Sequence, residues 1–171
     1  NGSLVWQTPT QSNMIYENAF SLENSDLVFE NNTIYFSNNK NEFFSIDART
    51  GTIKWAQSIN SSLRPTIIEN LIFTVSNEGY FFIIDDPTGN IIRITDVLKN
   101  FKDKSEIKPI GFIHAKNKIY VSLSNGRIVT INSTTGIQEK ITKINNSKIS
   151  RPYVLNNNMY LIKDNALTKI E

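Results

Sequence analysis

Few side chains in this 171-residue chain are of types that perform covalent or redox chemistry. There is no cysteine, one histidine and two tryptophans. The lack of cysteine excludes disulfides, thiolate metal sites and thiol nucleophiles, while leaving the redox compartment open. A single histidine, His114, cannot build a multi-histidine metal site, and no Ser-His-Asp order surrounds it. It follows Gly111-Phe112-Ile113 and is expected to be a packed or channel-lining imidazole. Asp85-Asp86 is a paired carboxylate in sequence. Adjacent strand residues point to opposite faces, so the two cannot share a proton as a catalytic dyad does. Capping of a turn is the expected role. The net charge is +2 and the basic residues are scattered, without the basic stripe that a nucleic-acid surface needs. No apolar run reaches the roughly 20 residues of a membrane-spanning helix.

The remaining candidates belong to a repeat, and repeats decide the fold. Three segments align on a Thr-Gly pair: Ile46-Asp47-Ala48-Arg49-Thr50-Gly51, Ile84-Asp85-Asp86-Pro87-Thr88-Gly89 and Ile131-Asn132-Ser133-Thr134-Thr135-Gly136. Each has Asp or Asn three residues before the Thr. In this loop Gly supplies a left-handed position and a bulge, and the Asp or Asn accepts hydrogen bonds from loop amides. Upstream lie Ile34-Tyr35, Ile72-Phe73, Ile119-Tyr120 and Met159-Tyr160. The interval from Tyr35 to Ile46, from Phe73 to Ile84 and from Tyr120 to Ile131 is 11 residues each time. Gly51 to Gly89 is 38 residues and Gly89 to Gly136 is 47, the longer interval carrying an insertion near 97–106. Arg64-Pro65, Lys108-Pro109 and Arg151-Pro152 open the units, proline being suited to the first residue of a strand.

Each unit therefore reads as four short strands in about 40 residues, the signature of a β-propeller blade. Inner strands are predicted near 26–30, 65–69, 109–114 and 151–155. The others are predicted near 33–37, 42–47, 52–57, 71–76, 80–85, 90–95, 118–123, 127–132, 137–143, 158–162 and 166–170. The blade units are 26–58, 65–96, 109–144 and 151–171, with 1–8 reading as an outer strand that has no blade of its own. The insertion, with apolar Val97, Leu98 and Phe101, is predicted to form a short amphipathic helix. The heavy use of asparagine is attributed to base composition.

The pattern apolar-Tyr, then Asn-Gly, then Ile-Asp-x-x-Thr-Gly-x-x-x-Trp resembles the PQQ-like repeat. Trp55 after Gly51, and Trp6 after Gly2, stand where that repeat ends its outer strand. Arg93 and Lys140 depart from it. Within this class the chain is similar to the BamB family of outer-membrane assembly lipoproteins. It ends on an incomplete blade, 159–171, and an acidic, serine-containing loop, Ser21-Leu22-Glu23-Asn24-Ser25-Asp26, precedes the first full blade. The resemblance implies an all-β fold, with about four blades forming half of an eight-bladed ring. It implies a non-catalytic scaffold in the periplasm, anchored to the outer membrane by a lipid outside this chain. It also implies that Leu22, Glu23 and Asp26 contact a BamA-like β-barrel insertase subunit, and that there is no cofactor.

Two other readings remain open. A quinone- or metal-dependent dehydrogenase fragment would need a cofactor stacked on tryptophan and a Ca²⁺ site. A ligand-sensing propeller would be joined to a membrane segment and a kinase. The three-stranded last blade also leaves an exposed edge. The N-terminal strand can fill it, either within one chain as a four-bladed ring or between two chains as a homodimer of half-propellers. The dimer is the favoured arrangement.

Overall fold

The computed structural model describes residues 2–10 and 23–170. Among these, fifteen strands form four antiparallel sheets in simple up-and-down order. Blade 1 is β1 (Val28–Glu30), β2 (Thr33–Asn38), β3 (Glu42–Asp47) and β4 (Ile53–Gln57). Blade 2 is β5 (Thr66–Ile68), β6 (Leu71–Val75), β7 (Tyr80–Asp85) and β8 (Ile91–Asp96). Blade 3 is β9 (Pro109–Ala115), β10 (Lys118–Leu123), β11 (Arg127–Asn132) and β12 (Gln138–Lys143). Blade 4 has three strands, β13 (Tyr153–Leu155), β14 (Asn158–Lys163) and β15 (Ala166–Ile170). The fifteen strands expected within the blades are all present, with bounds moved by two residues at most, whereas residues 2–8, expected to be an outer strand, form none because no neighbouring strand pairs with them among the described residues.

The register is the same from blade to blade. Val28 faces Tyr35, Thr66 faces Phe73, Ile113 faces Tyr120 and Tyr153 faces Tyr160. The third and fourth strands slip register at Ser45/Ile46, Ile83/Ile84 and Thr130/Ile131, each just before its Thr-Gly loop. This is the expected bulge, and it re-aims the outer strand. The middle strands are buried on both faces, as blades stacked side by side require. One core joins blades 2 and 3 through Phe73, Phe81, Phe112, Ile119, Val121 and Val129. A second joins blades 1 and 2 through Tyr35, Phe43, Ile72, Phe82 and Ile84. A third joins blade 3 to blade 4 through Ile128, Ile149 and Leu161.

A further expectation is corrected. The insertion after β8 forms no amphipathic helix: residues 97–100 are turns, and the only helical piece is a 3₁₀ turn, Lys104–Glu106. Val97 and Leu98 are both fully buried, and Leu98 lies where a Cβ on Gly79 would be. Two adjacent residues drive into the same core, so the segment is a plug between blades 2 and 3 rather than a helix with one wet face. Several asparagines hold the tight turns between strands. Asn31, Asn32, Asn117, Asn156, Asn157 and Asn165 all hold positive φ in two-residue hairpin turns, where asparagine is among the few side chains tolerated.

Candidate functional site

The repeated Thr-Gly loop is built by its own acid. Asp47 Oδ1 accepts from the Arg49 and Thr50 amides at 3.0 and 2.9 Å. Asn132 Oδ1 accepts from Thr134 and Thr135 at 3.0 and 2.9 Å. Asp85 Oδ2 accepts from the Thr88 amide at 3.2 Å and its hydroxyl at 2.5 Å. These amides, led by that of Thr50, hold the Asp47 carboxyl below the usual carboxylate range. Asp85 and Asp47 are therefore turn caps, as expected from their spacing.

What the loop presents is a glycine, and the preceding blade closes over it. Gly51, Gly89 and Gly136 have φ of +74°, +72° and +68°. A Cβ at Gly51 would lie 2.7 Å from the Trp6 ring, one at Gly89 would lie 2.6 Å from the Trp55 ring, and one at Gly136 would collide with the Arg93 side chain. Two residues further along the covering segment, a polar side chain donates to the glycine carbonyl. Thr8 Oγ1 does so to Gly51 at 2.5 Å, Gln57 Nε2 to Gly89 at 2.6 Å and Thr95 Oγ1 to Gly136 at 2.6 Å. The indoles add Trp6 Nε1 to Ala48 O at 3.0 Å and Trp55 Nε1 to Asp86 O at 2.6 Å. Blades 1, 2 and 3 are thus each latched to the segment that precedes them by a ring or an aliphatic stem on a bare backbone, together with one or two hydrogen bonds. Arg93, which departs from the repeat pattern, still covers its glycine with its methylenes.

The residues singled out for chemistry sit in these interfaces. Tyr35 Oη donates to Asp86 Oδ1 across blades 1 and 2 at 2.6 Å. Burial, with the Asp86 carboxylate adding to it, pushes the Tyr35 phenol far above its ordinary range, so it stays a donor. Asp86 is therefore an inter-blade acceptor rather than half of a dyad, a role that the spacing did not reveal. His114 stacks on Phe73 at 5.7 Å between centroids, and its Nε2 lies 3.2 Å from Ser133 Oγ. Its burial lowers its pKa, which favours the neutral ring. This is the packed imidazole expected. Among the described residues no group of three or more His, Cys, Asp or Glu is placed to hold a metal ion.

The acidic loop is fixed at one end of blade 1. Glu23 N donates to Asn39 Oδ1 at 3.1 Å, Asn39 N donates to Glu23 O at 3.0 Å, and Ser25 N donates to Ser37 O at 2.8 Å. Ser25 is buried, while Glu23 and Asp26 remain exposed. Asp26 borders a cleft of about 210 Å³ that also touches Arg64 of blade 2 and Arg151 of blade 4. Leu22, the third residue expected at this surface, lies outside the described residues.

Successive antiparallel blades, latched by a turn glycine under the preceding outer strand, define a β-propeller of PQQ-like repeats. The sequence of residues 1–95 matches the outer membrane protein assembly factor BamB family, and the chain belongs to that family. No curated protein matches it. In fold it is similar to BamB from Moraxella catarrhalis, with a TM-score of 0.69 at 15% identity, covering 85% of this chain and 41% of that one. The chain thus spans less than half the length of that relative. It is similar to the computationally designed Ika4 protein, with a TM-score of 0.69 at 13% identity, covering 96% of this chain and 98% of that one. It also shares its fold with quinohemoprotein alcohol dehydrogenase from Comamonas testosteroni, with a TM-score of 0.59 at 15% identity, covering 71% and 21% of the two chains.

Proposed function

We propose that this chain is a non-catalytic propeller scaffold that docks a protein partner, BamB-like in the assembly of outer-membrane β-barrel proteins. The observation that carries the reading is the family match over residues 1–95, which includes the acidic loop. On this reading the protein works in the periplasm, held at the outer membrane through a lipid anchor outside this chain. Leu22, Glu23 and Asp26 meet a BamA-like insertase subunit. A short loop tied to β2 and the turn after it while its acids face solvent is a suitable docking element, because little ordering remains to be done on binding. The half-ring itself pairs with a second copy when further blades are not there to complete it.

The test is affinity for the purified insertase subunit. Reversing both charges, Glu23→Lys with Asp26→Lys, is expected to weaken binding at least tenfold and to slow association most at low salt. Unchanged affinity removes this loop from the interface, and no binding by the unaltered chain removes the reading. The shared fold with a quinohemoprotein dehydrogenase keeps a second reading, a cofactor-binding fragment, in view. Titration with quinone and Ca²⁺, followed by absorbance, decides it, and an absorbance shift that saturates would favour it.

A further inference from the structure

The inner strands of the four blades bring their starts to one cleft. Val28, Thr66, Ile113 and Tyr153 hold the same register position in blades 1 to 4, each facing the Tyr or Phe of the second strand. Two residues before them stand Asp26, Arg64, Gly111 and Arg151. All four border the cleft of about 210 Å³. Gly111 adds no side chain to it. A Cβ there would lie 2.7 Å from Arg151 Cβ, so the Arg151 stem takes that place. Arg151 is fixed by Nε, which donates to Phe112 O at 3.0 Å, and its guanidinium carbon lies 5.8 Å from the centre of the Tyr153 ring. Its two Nη groups make no hydrogen bond among the described residues. Arg64 has no hydrogen-bond or ion-pair partner among them either. The chain leading to Arg64 is held, with Ser61 N donating to Asn38 O at 3.0 Å and Leu63 N to Ser61 Oγ at 3.1 Å.

We propose that this cleft binds a carboxylate group between the guanidinium groups of Arg64 and Arg151. The forked donors of arginine match the two oxygens of a carboxylate. Charge sets the class of ligand. Two cations and one acid, Asp26, border the cleft, and Asp26 forms no ion pair with either arginine. A single negative charge balances the three, whereas a doubly charged phosphate leaves an excess beside Asp26. Leu63, Ile110 and Phe112 supply apolar wall, and a poorly solvated wall strengthens the attraction. Arg151 and the segment before Arg64 are already held, so binding has little left to order. Arg64, Gly111 and Arg151 stand on three consecutive blades, and Arg151 is anchored to blade 3, so the pair is in place however the ring is completed. Pockets that enclose whole drug-sized ligands measure about 300–1,000 Å³, and this smaller cleft suits the carboxylate of a short free acid or of one acidic side chain.

The test follows the arginine Nε–H signals by NMR while the chain is titrated at constant ionic strength. The probes are propionate, a Gly-Glu-Gly peptide capped at both ends, and inorganic phosphate. The expected result is a saturating shift at Arg64 and Arg151, at concentrations that leave the exposed Arg49 unmoved. Arg64→Gln is expected to bind about tenfold more weakly, since it removes one charge-assisted contact. Arg64 is exposed, so the variant should keep its melting temperature. Saturation by propionate alone assigns the cleft to free short acids, and saturation by the capped peptide as well extends it to acidic side chains of a protein. Shifts that never saturate, that are matched at Arg49, or that survive Arg64→Gln unchanged overturn the site. Phosphate binding as tightly as the carboxylates overturns the class of ligand.

Discussion

At the scale of single residues, the interfaces depend on atoms that are missing as much as on those present. Gly89→Ala puts a methyl group into the Trp55 ring at a left-handed backbone position. The backbone alone accounts for about 1–2 kcal/mol, and the displaced indole adds to that. The variant is expected to melt several degrees lower, with a change in tryptophan emission. Tyr35→Phe keeps the ring beside Trp55 and removes the bond to Asp86. Bonds to a charged acceptor contribute about 1.5–3 kcal/mol, and water reaching the half-buried Asp86 puts the expected loss at the lower end, read by denaturant titration. His114 gives the stability a pH dependence. Its folded pKa is depressed by burial, so the unfolded chain binds the proton more readily. Its contribution is therefore complete above the unfolded value of about 6.5 and is lost as the pH falls below it through the folded value. His114→Phe should narrow the gap between melting temperatures at pH 7.5 and pH 5.5; an unchanged gap would assign it to other groups.

At the scale of elements, the strands were legible because two signals agreed. The interval between Tyr35 and Ile46 recurs in blades 2 and 3, and the Thr-Gly loops fix where the third strand must end. The insertion was less legible. Val97, Leu98 and Phe101 have a spacing that suits one face of a helix, yet Val97 and Leu98 both enter the core between blades 2 and 3. Hydrophobic spacing states which residues seek burial, not whether a neighbouring gap lets adjacent residues enter it together. Leu98→Ala should accordingly behave as a core truncation, costing about 2–5 kcal/mol, although the residue lies in a connection. The acceptor role of Asp86 was hidden for a different reason: its partner is 51 residues away, on another blade. Arg93 looked like a break in the repeat, because the pattern asked for an indole while the site asks only for a flat or flexible apolar cover.

At the scale of the whole molecule, each interface between blades has its own core, and those between blades 1 and 2 and between blades 2 and 3 add a latch, so the array has the nearest-neighbour character of a repeat protein. Removing residues 2–8 uncovers Gly51 and frees the Ala48 and Gly51 carbonyls, and is expected to lower the melting temperature or cause aggregation. An unchanged melt would mean that this segment adds nothing to the fold. The two tryptophans have a further consequence. Trp6 covers blade 1 and Trp55 covers blade 2, and there is no third indole in the chain. The protein therefore carries two natural fluorophores, one on each of two consecutive joints. With Trp6→Phe and Trp55→Phe made separately, each remaining emission band follows one joint alone. Two bands that shift together on heating would mark an array that opens all at once; a Trp6 band that shifts first would give the order in which the blades come apart.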